Sequence, residues 1–380
     1  MPHYAIEKDD AWLTLGSYPV GGRDEGGMRM TERQHEEVLR SLTAVFAGRV
    51  KRAPLGDGPG TVDALASVQP SSVEEVSYLA QVAARHSLPL VPLGAETGFV
   101  PRPPEGSILV RFDLMRRLRL PEDDEPWVEA EPGASWLDLE DELRVRGRGL
   151  AVYPTSAPRA TVGGWLATDG LGVGSFEFGR LWENVLRADV VPHGGGLREV
   201  GGEELGHFFG PGKAYRIVVG ARLRTRRADA DRPFAATFSE PGGVAGAVAA
   251  LLASEAPLWH LAFVSPTMAA ARGLRERYLL FGAYPSARDT EAWWGLRRRV
   301  LSDHGGAELD GREAWRVWGE RFFPVAPAHP TPHAARRFVA VGGLAQVLES
   351  SQPKDAFQGT VGRSGEVLLL KLGDDEEDSA

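Results

Sequence analysis

Residues 154–179 read PTSAPRATVGGWLATDGLGVGSFEFG. The glycines of this stretch, Gly163, Gly164, Gly170, Gly172, Gly174 and Gly179, are too dense for the interior of a helix or strand, where each costs about 1 kcal/mol relative to alanine. Three uses justify such glycines: positive φ, close approach of the backbone to a ligand, and exposure of main-chain N–H groups to an anion. Thr155, Ser156, Thr161, Thr168 and Ser175 are interleaved with them and supply hydroxyl groups. A polyanionic or heteroaromatic ligand therefore suits the stretch better than a plain turn. A surface loop would not carry Val162, Trp165, Leu166 and Leu171, nor run directly into the apolar strand that residues 180–191 predict.

Working outward, Thr31 with Gln34 and Ser72 with Glu75 have the spacing of capping boxes. The first opens a helix carrying Val38, Leu39, Leu42, Val45 and Phe46; the second opens one whose Val76, Leu79, Ala80 and Ala83 share a face. Short strands are expected over 65–68, 88–92, 108–114 and 127–130, with a buried strand over 217–223. The turn Glu131, Pro132, Gly133 precedes a helix capped by Ser135, with Leu137, Leu139 and Leu143 facing inward. From about residue 233 the pattern becomes helices at 242–254 and 290–301 and strands at 259–264 and 278–284, with 269–274 left open.

The segment ATVGGWLATDGLGVGSFEFGRLWENVLRADVV resembles the second flavin-binding segment of the vanillyl-alcohol oxidase type FAD domain, the PCMH-type FAD-binding fold. Residues 71–134, with PLGAETG, DLMRRL and EPG, resemble the first half of that domain, and GPGKAYRIVVGARLRT resembles its closing strand. The resemblance is strong over 71–227 and weak elsewhere. It implies an α+β chain: a cover segment at 1–60, a two-subdomain PCMH-type FAD-binding domain at 61–230, a short α+β cap or substrate domain at 231–370, and an acidic tail at 371–380. It further implies FAD held non-covalently by Pro92, Gly94, Ala95, Glu96, Thr97 and Gly98 in a pyrophosphate turn, by Pro132 and Gly133, and by Thr155 and Ser156. The remaining FAD contacts would come from Thr161, Val162, Gly163, Gly164, Thr168, Gly172, Gly174, Ser175, Phe178 and Gly179, and from Ile217 and Val218 of the closing strand.

Two positions depart from the family pattern. The second glycine of the pyrophosphate turn is Glu96, which adds a Cβ and a negative charge beside a dianionic ligand. Either the turn is displaced so that Gly98 takes the role, or the site is weakened, or it is lost. In the closing strand, the usual Leu-Gly-Ile is Tyr215, Arg216 and Ile217.

Arg321 lies in WRVWGERFF, similar to the segment that carries a substrate-carboxylate arginine in FAD-linked 2-hydroxy-acid dehydrogenases. A planar guanidinium clamps both oxygens of a carboxylate; the plainer alternative is an ion pair with Glu320 or Glu313. His260 is either a base toward flavin or a satisfied core histidine, the commoner use of such a residue. His329 and His333, without a nearby carboxylate and without the metal motif of larger relatives, do not predict a metal, and no histidine in the pyrophosphate turn supports a covalent flavin bond.

Composition bounds the rest. The chain has 380 residues with 43% hydrophobic content, enough for two cores. It has no cysteine, which excludes disulfides and thiolate chemistry, and its formal charge of −9 disfavours nucleic acid as a partner. Without an apolar run of membrane-spanning length or a secretory leader pattern, a cytoplasmic location is expected. The resemblance implies an FAD-dependent oxidoreductase, or a subunit of one, oxidising a small 2-hydroxy acid such as glycolate or D-lactate and passing electrons to a partner subunit or soluble acceptor. The alternative is a non-catalytic FAD-fold scaffold with a degenerate flavin site; a generic nucleotide- or sugar-binding module rests on the glycines alone.

Overall fold

The computed structural model describes residues 31–52, 64–97, 103–209, 217–228, 230–324 and 334–372. Gly98, Tyr215, Arg216, His329, His333, the first thirty residues and the acidic run at 374–378 lie outside the described residues.

Three sheets organise the chain. The first unit comprises α1 (Glu32–Phe46), β1 (Val50–Arg52), β2 (Ala66–Val68), α2 (Val73–Arg85), β3 (Leu90–Leu93) and β4 (Ile108–Arg111). Its strands lie in the order β1-β2-β4-β3, with β4 parallel to both β2 and β3. Thr31 and Gln34 form the full capping box expected of α1, whose inner face buries Val38, Leu39, Leu42 and Phe46 while Val45 turns outward. At α2 only half of the second box forms. Ser72 Oγ accepts from the Glu75 amide, but the Glu75 side chain turns to Arg49, with bonds of 2.6 and 2.7 Å, and to the Ser71 amide. A bidentate guanidinium is a stronger partner than one cap amide, and it holds the Glu75 carboxyl down to about 2.

The second unit holds β5 (Leu118–Arg119), β6 (Trp127–Ala130), α3 (Trp136–Val145), β7 (Arg148–Leu150), α4 (Val162–Thr168), α5 (Ser175–Phe178), β8 (Val185–Val191), β9 (Arg198–Gly201), α6 (Leu205–Phe208) and β10 (Ile217–Arg227). The sheet is antiparallel, in the order β5-β6-β10-β8-β9, and β7 pairs with the far end of β10. The expected strand over 108–114 stops at Arg111, because the Phe112 carbonyl accepts from the Met115 amide and the chain turns. Gly133 comes so close there that a Cβ would overlap the Phe112 carbonyl oxygen. The glycine-rich stretch is not wholly irregular, as its glycine density suggested: Gly163 and Gly164 lie in the first turn of α4, where few residues pay the interior cost.

The third unit contains β11 (Asp231–Phe238), α7 (Pro241–Leu252), β12 (His260–Val264), α8 (Pro266–Ala271), β13 (Tyr278–Pro285), α9 (Glu291–Asp303), β14 (Ala307–Glu308), α10 (Gly311–Gly319), β15 (Ala334–Ala340), α11 (Leu344–Glu349), β16 (Phe357–Val361) and β17 (Glu366–Leu372). Its strands run β14-β11-β13-β12-β16-β17-β15, all antiparallel. The stretch left open at 269–274 belongs to α8 and the turn after it. Strands β15 to β17 have no counterpart in the sequence reading.

Apolar packing joins the sheets into one body. One core runs from the inner face of the second sheet (Val128, Val190, Leu223) and from Leu139 of α3, through α4, to one face of the third sheet (Ala262, Phe281) with Trp259 just before β12. The opposite face of the third sheet is covered by α7, α9 and α11, and Val191, Ile217 and Val219 close the first sheet against the second. No helix among the described residues is long and apolar enough to cross a membrane.

Candidate functional site

The first turn is built by two parallel strands ending side by side, Leu93 of β3 opposite Arg111 of β4. Pro92 is within β3, and the chain leaves the sheet at Gly94. None of the backbone amides of Gly94, Ala95, Glu96 and Thr97 donates to an acceptor among the described residues. Glu96 has φ +53°, so the left-handed conformation usually given to glycine is adopted by a residue with a Cβ. Its Oε1 accepts from Arg111 Nη1 at 3.4 Å, and Arg111 Nε donates to Asp113 Oδ2 at 3.2 Å. Burial opposes ionisation of Asp113, but the Arg111 charge and the Gln69 hydrogen bond outweigh it and hold the carboxyl below its ordinary value.

The second turn faces the first and differs in its donors. Thr161 caps α4, with Oγ1 accepting from the Gly164 amide at 3.4 Å. The Val162 amide donates to the Ala134 carbonyl and the Gly163 amide to the Pro132 carbonyl, both at 2.8 Å. A Cβ on Gly163 would lie 2.8 Å from Pro132 Cβ, and one on Gly94 would lie 2.8 Å from Thr161 Oγ1 and 3.1 Å from Gly164 Cα. These glycines bring three turns into backbone contact. Further along, the Gly172 amide donates to Ser175 Oγ and the Gly174 amide to His260 Nδ1, and a Cβ on Gly172 or Gly174 would overlap the carbonyl oxygen of Tyr153 or Ala151. Thr168 Oγ1 donates to the Trp165 carbonyl, Val162 is fully buried, and Phe178 packs half-buried against the core.

Between the turns opens a cavity of about 330 Å³, lined by Gly94, Ala95, Gly133 and Thr161 among the expected residues and by the cations Arg111, Arg116 and Arg159. The other expected FAD contacts among the described residues do not line it. Thr155 instead accepts the Phe323 amide through its carbonyl at 2.9 Å, Ser156 closes the turn to Arg159 and Ala160, Ile217 and Val218 pair with Val191 and Val190, and Gly179 packs on Glu183 and Arg363.

The third unit grips this segment. Arg180 donates to Glu366 at 2.9 and 2.5 Å and to Asp169 at 3.3 Å, Arg363 pairs with Glu183, Arg288 pairs with Glu177, and the Arg363 amide donates to the Ser175 carbonyl. His260, on β12, is fully buried. Burial, reinforced by the Arg321 charge, lowers it to about 3; its Nδ1 accepts from the Gly174 amide, and its buried Nε2 has no partner among the described residues. Arg321 follows α10 and does not form the ion pair with Glu320 or Glu313; Glu313 pairs with Arg275. Its Nε donates to Tyr153 Oη at 3.2 Å and its Nη1 to the Trp318 carbonyl, its guanidinium lies 4.3 Å from the Phe322 ring centroid, and no carboxylate among the described residues pairs with it. Gln358 Nε2 holds the Arg321 carbonyl, and Arg272 holds both Gln358 and the Glu320 carbonyl. Sequence reasoning missed Arg111, Tyr153, Arg272 and Gln358. None of the four had a signal in the reading of the sequence: Arg111 fell within the strand expected over 108–114, and only the early end of β4 places it beside the turn.

Residues 64–201 match the FAD binding domain family. Over those residues the chain is similar to an FAD-binding domain. Among curated proteins this chain is 32% identical over 130 residues to the mitochondrial D-lactate dehydrogenase [cytochrome] of Arabidopsis thaliana, covering 33% of this chain and 23% of that one. It is 28% identical over 188 residues to a D-lactate dehydrogenase of Archaeoglobus fulgidus, covering 48% and 42%. It is 24% identical over 140 residues to the glycolate oxidase subunit GlcD of Bacillus subtilis, covering 36% and 30%. The matches thus span less than half the length of these relatives. In fold, the chain is similar to p-cresol methylhydroxylase (TM-score 0.71, 13% identity, 91% of this chain and 84% of that one) and to alkyldihydroxyacetonephosphate synthase (0.70, 16%, 90% and 77%). It shares the PCMH-type architecture of these flavoproteins. The donor set fits the cofactor: the free amides of the first turn and the arginines of the adjoining cavity suit a diphosphate, and Gly94 keeps that cradle open.

Proposed function

We propose that the protein is an FAD-dependent oxidoreductase, or the FAD-binding subunit of one, that oxidises a small 2-hydroxy acid such as glycolate or D-lactate and passes electrons to an external acceptor. The FAD diphosphate would rest on the amides of residues 94–97. The observation that carries the substrate reading is Arg321, a half-buried cation without a carboxylate partner among the described residues, set where the third unit meets the glycine-rich segment. Bound FAD would accept the hydride equivalent released from C2 of the acid. This chain's own part is to bind and orient. Arg321 offers a planar fork to the substrate carboxylate, Tyr153 Oη fixes the Nε edge of that fork, and Gln358 and Arg272 hold the backbone on which it stands. Phe322 and Trp318 on the guanidinium faces exclude water and strengthen a charge-assisted contact.

Anaerobic bleaching of bound flavin by glycolate, D-lactate and longer D-2-hydroxy acids tests this. Arg321→Lys should slow reduction by on the order of a hundredfold while shifting stability by less than about 1 kcal/mol, since lysine offers a point charge and no fork. Equal rates in both proteins would remove Arg321 from the site. A scaffold reading is favoured by the Glu96 carboxylate beside the first turn, and FAD-loaded protein that no acid bleaches would support it.

A further inference from the structure

The carboxylate of Glu96 stands where a dianionic ligand would be repelled, yet it is not alone. Arg111 emerges from the end of β4 directly beside the exit of β3, lines the cavity between the two turns and bridges Glu96 and Asp113. Those bonds use its Nε and one Nη1 hydrogen, and Nη2 has no partner among the described residues. Arg116 also approaches Asp113, at 3.7 Å. The carboxylates on either side therefore fix the direction of the guanidinium while leaving one edge of it open. A planar fork held in this way loses little freedom on meeting a phosphate oxygen pair.

We propose that Arg111 is the residue that receives the FAD diphosphate at the first turn, and that Glu96 and Asp113 position it. This rests on the placement of the diphosphate at residues 94–97. Glu96 is then not an unpaired charge in the site, because the arginine it contacts offsets its repulsion of the ligand. Asp113 alone would hold only Nε, leaving the guanidinium free to swing about that contact.

FAD titration of the apoprotein over a range of salt concentrations tests the proposal without turnover. Arg111→Gln should weaken FAD binding by on the order of tenfold to a hundredfold and flatten the dependence of affinity on salt, because the exposed charge that is screened has gone. Arg111→Lys should keep the salt dependence and recover part of the affinity. Unchanged affinity in Arg111→Gln, or weaker binding with an unchanged salt slope, would overturn the proposal. Ala95→Asp separates this from the placement of the site: if it weakens FAD binding while Arg111→Gln does not, the site stands and the role of Arg111 falls; if neither variant changes FAD affinity, the diphosphate is not at this turn.

Discussion

The two glycine-rich turns face each other across one cavity, and they use glycine in opposite ways. In the first, the amides of residues 94–97 are left without protein acceptors among the described residues, and the conformation requiring positive φ is carried by a glutamate. In the second, the amides of Val162, Gly163, Gly164, Gly172 and Gly174 are all engaged by protein groups. Its glycines permit backbone-to-backbone packing on Pro132, Tyr153 and Ala151. The glycine pattern expected to cradle a ligand thus also forms, in its longer part, a seam of backbone packing within the protein. The two turns differ in donor availability rather than in glycine count.

The largest effect that sharpens this contrast is expected at Gly174. A valine there would drive its Cβ into the Ala151 carbonyl at φ +103°, costing more than about 3 kcal/mol, so that denaturant unfolding should show a collapsed midpoint or no soluble protein. A midpoint near wild type would mean that the second turn is looser than its contacts indicate.

Removing the grip of the third unit should come next. Arg180→Gln leaves the Asp169 carboxylate, already raised by burial, without its cation, and cuts two bonds to Glu366. About 3 kcal/mol of stability should be lost, as for other half-broken buried pairs. A comparable loss is not expected from Glu96→Gln at the first turn, where the pair is exposed.

The third expectation concerns pH. His260 is neutral when folded, with its pKa lowered from 6.5 to about 3, so the unfolded chain binds the extra proton between those values. Its contribution is complete above pH 6.5 and declines as pH falls toward 3, with a slope of up to about 1.4 kcal/mol per pH unit. His260→Gln, which keeps an acceptor for Gly174 but does not titrate, should flatten that part of the stability profile. An identical profile would assign the acid sensitivity to other groups.

The smallest effect belongs to the first turn itself. Glu96→Gly relieves a left-handed residue at the cost of an exposed ion pair, and a gain of about 0.5 to 1 kcal/mol in thermal unfolding is expected. Destabilisation would show that Glu96 holds the turn by a contact stronger than its bond to Arg111.

The sequence by itself determined the elements whose causes are local. Thr31, Ser72 and Ser135 mark helix starts because a cap hydroxyl acts within three residues, and strand β6 coincides with the strand expected over 127–130. The resemblance of residues 71–227 likewise carries the PCMH-type architecture in the sequence itself. Tertiary structure alone decided the rest, since the partners are distant in the chain. Tyr153 meets Arg321 across 168 residues, Arg180 meets Glu366 across 186, and Gln358 reaches the Arg321 carbonyl across 37. No periodicity records such pairings. The same holds for which amides remain free: a glycine-rich turn declares its backbone freedom in sequence, but whether its N–H groups face a neighbouring carbonyl or a cavity depends on what the fold packs against them.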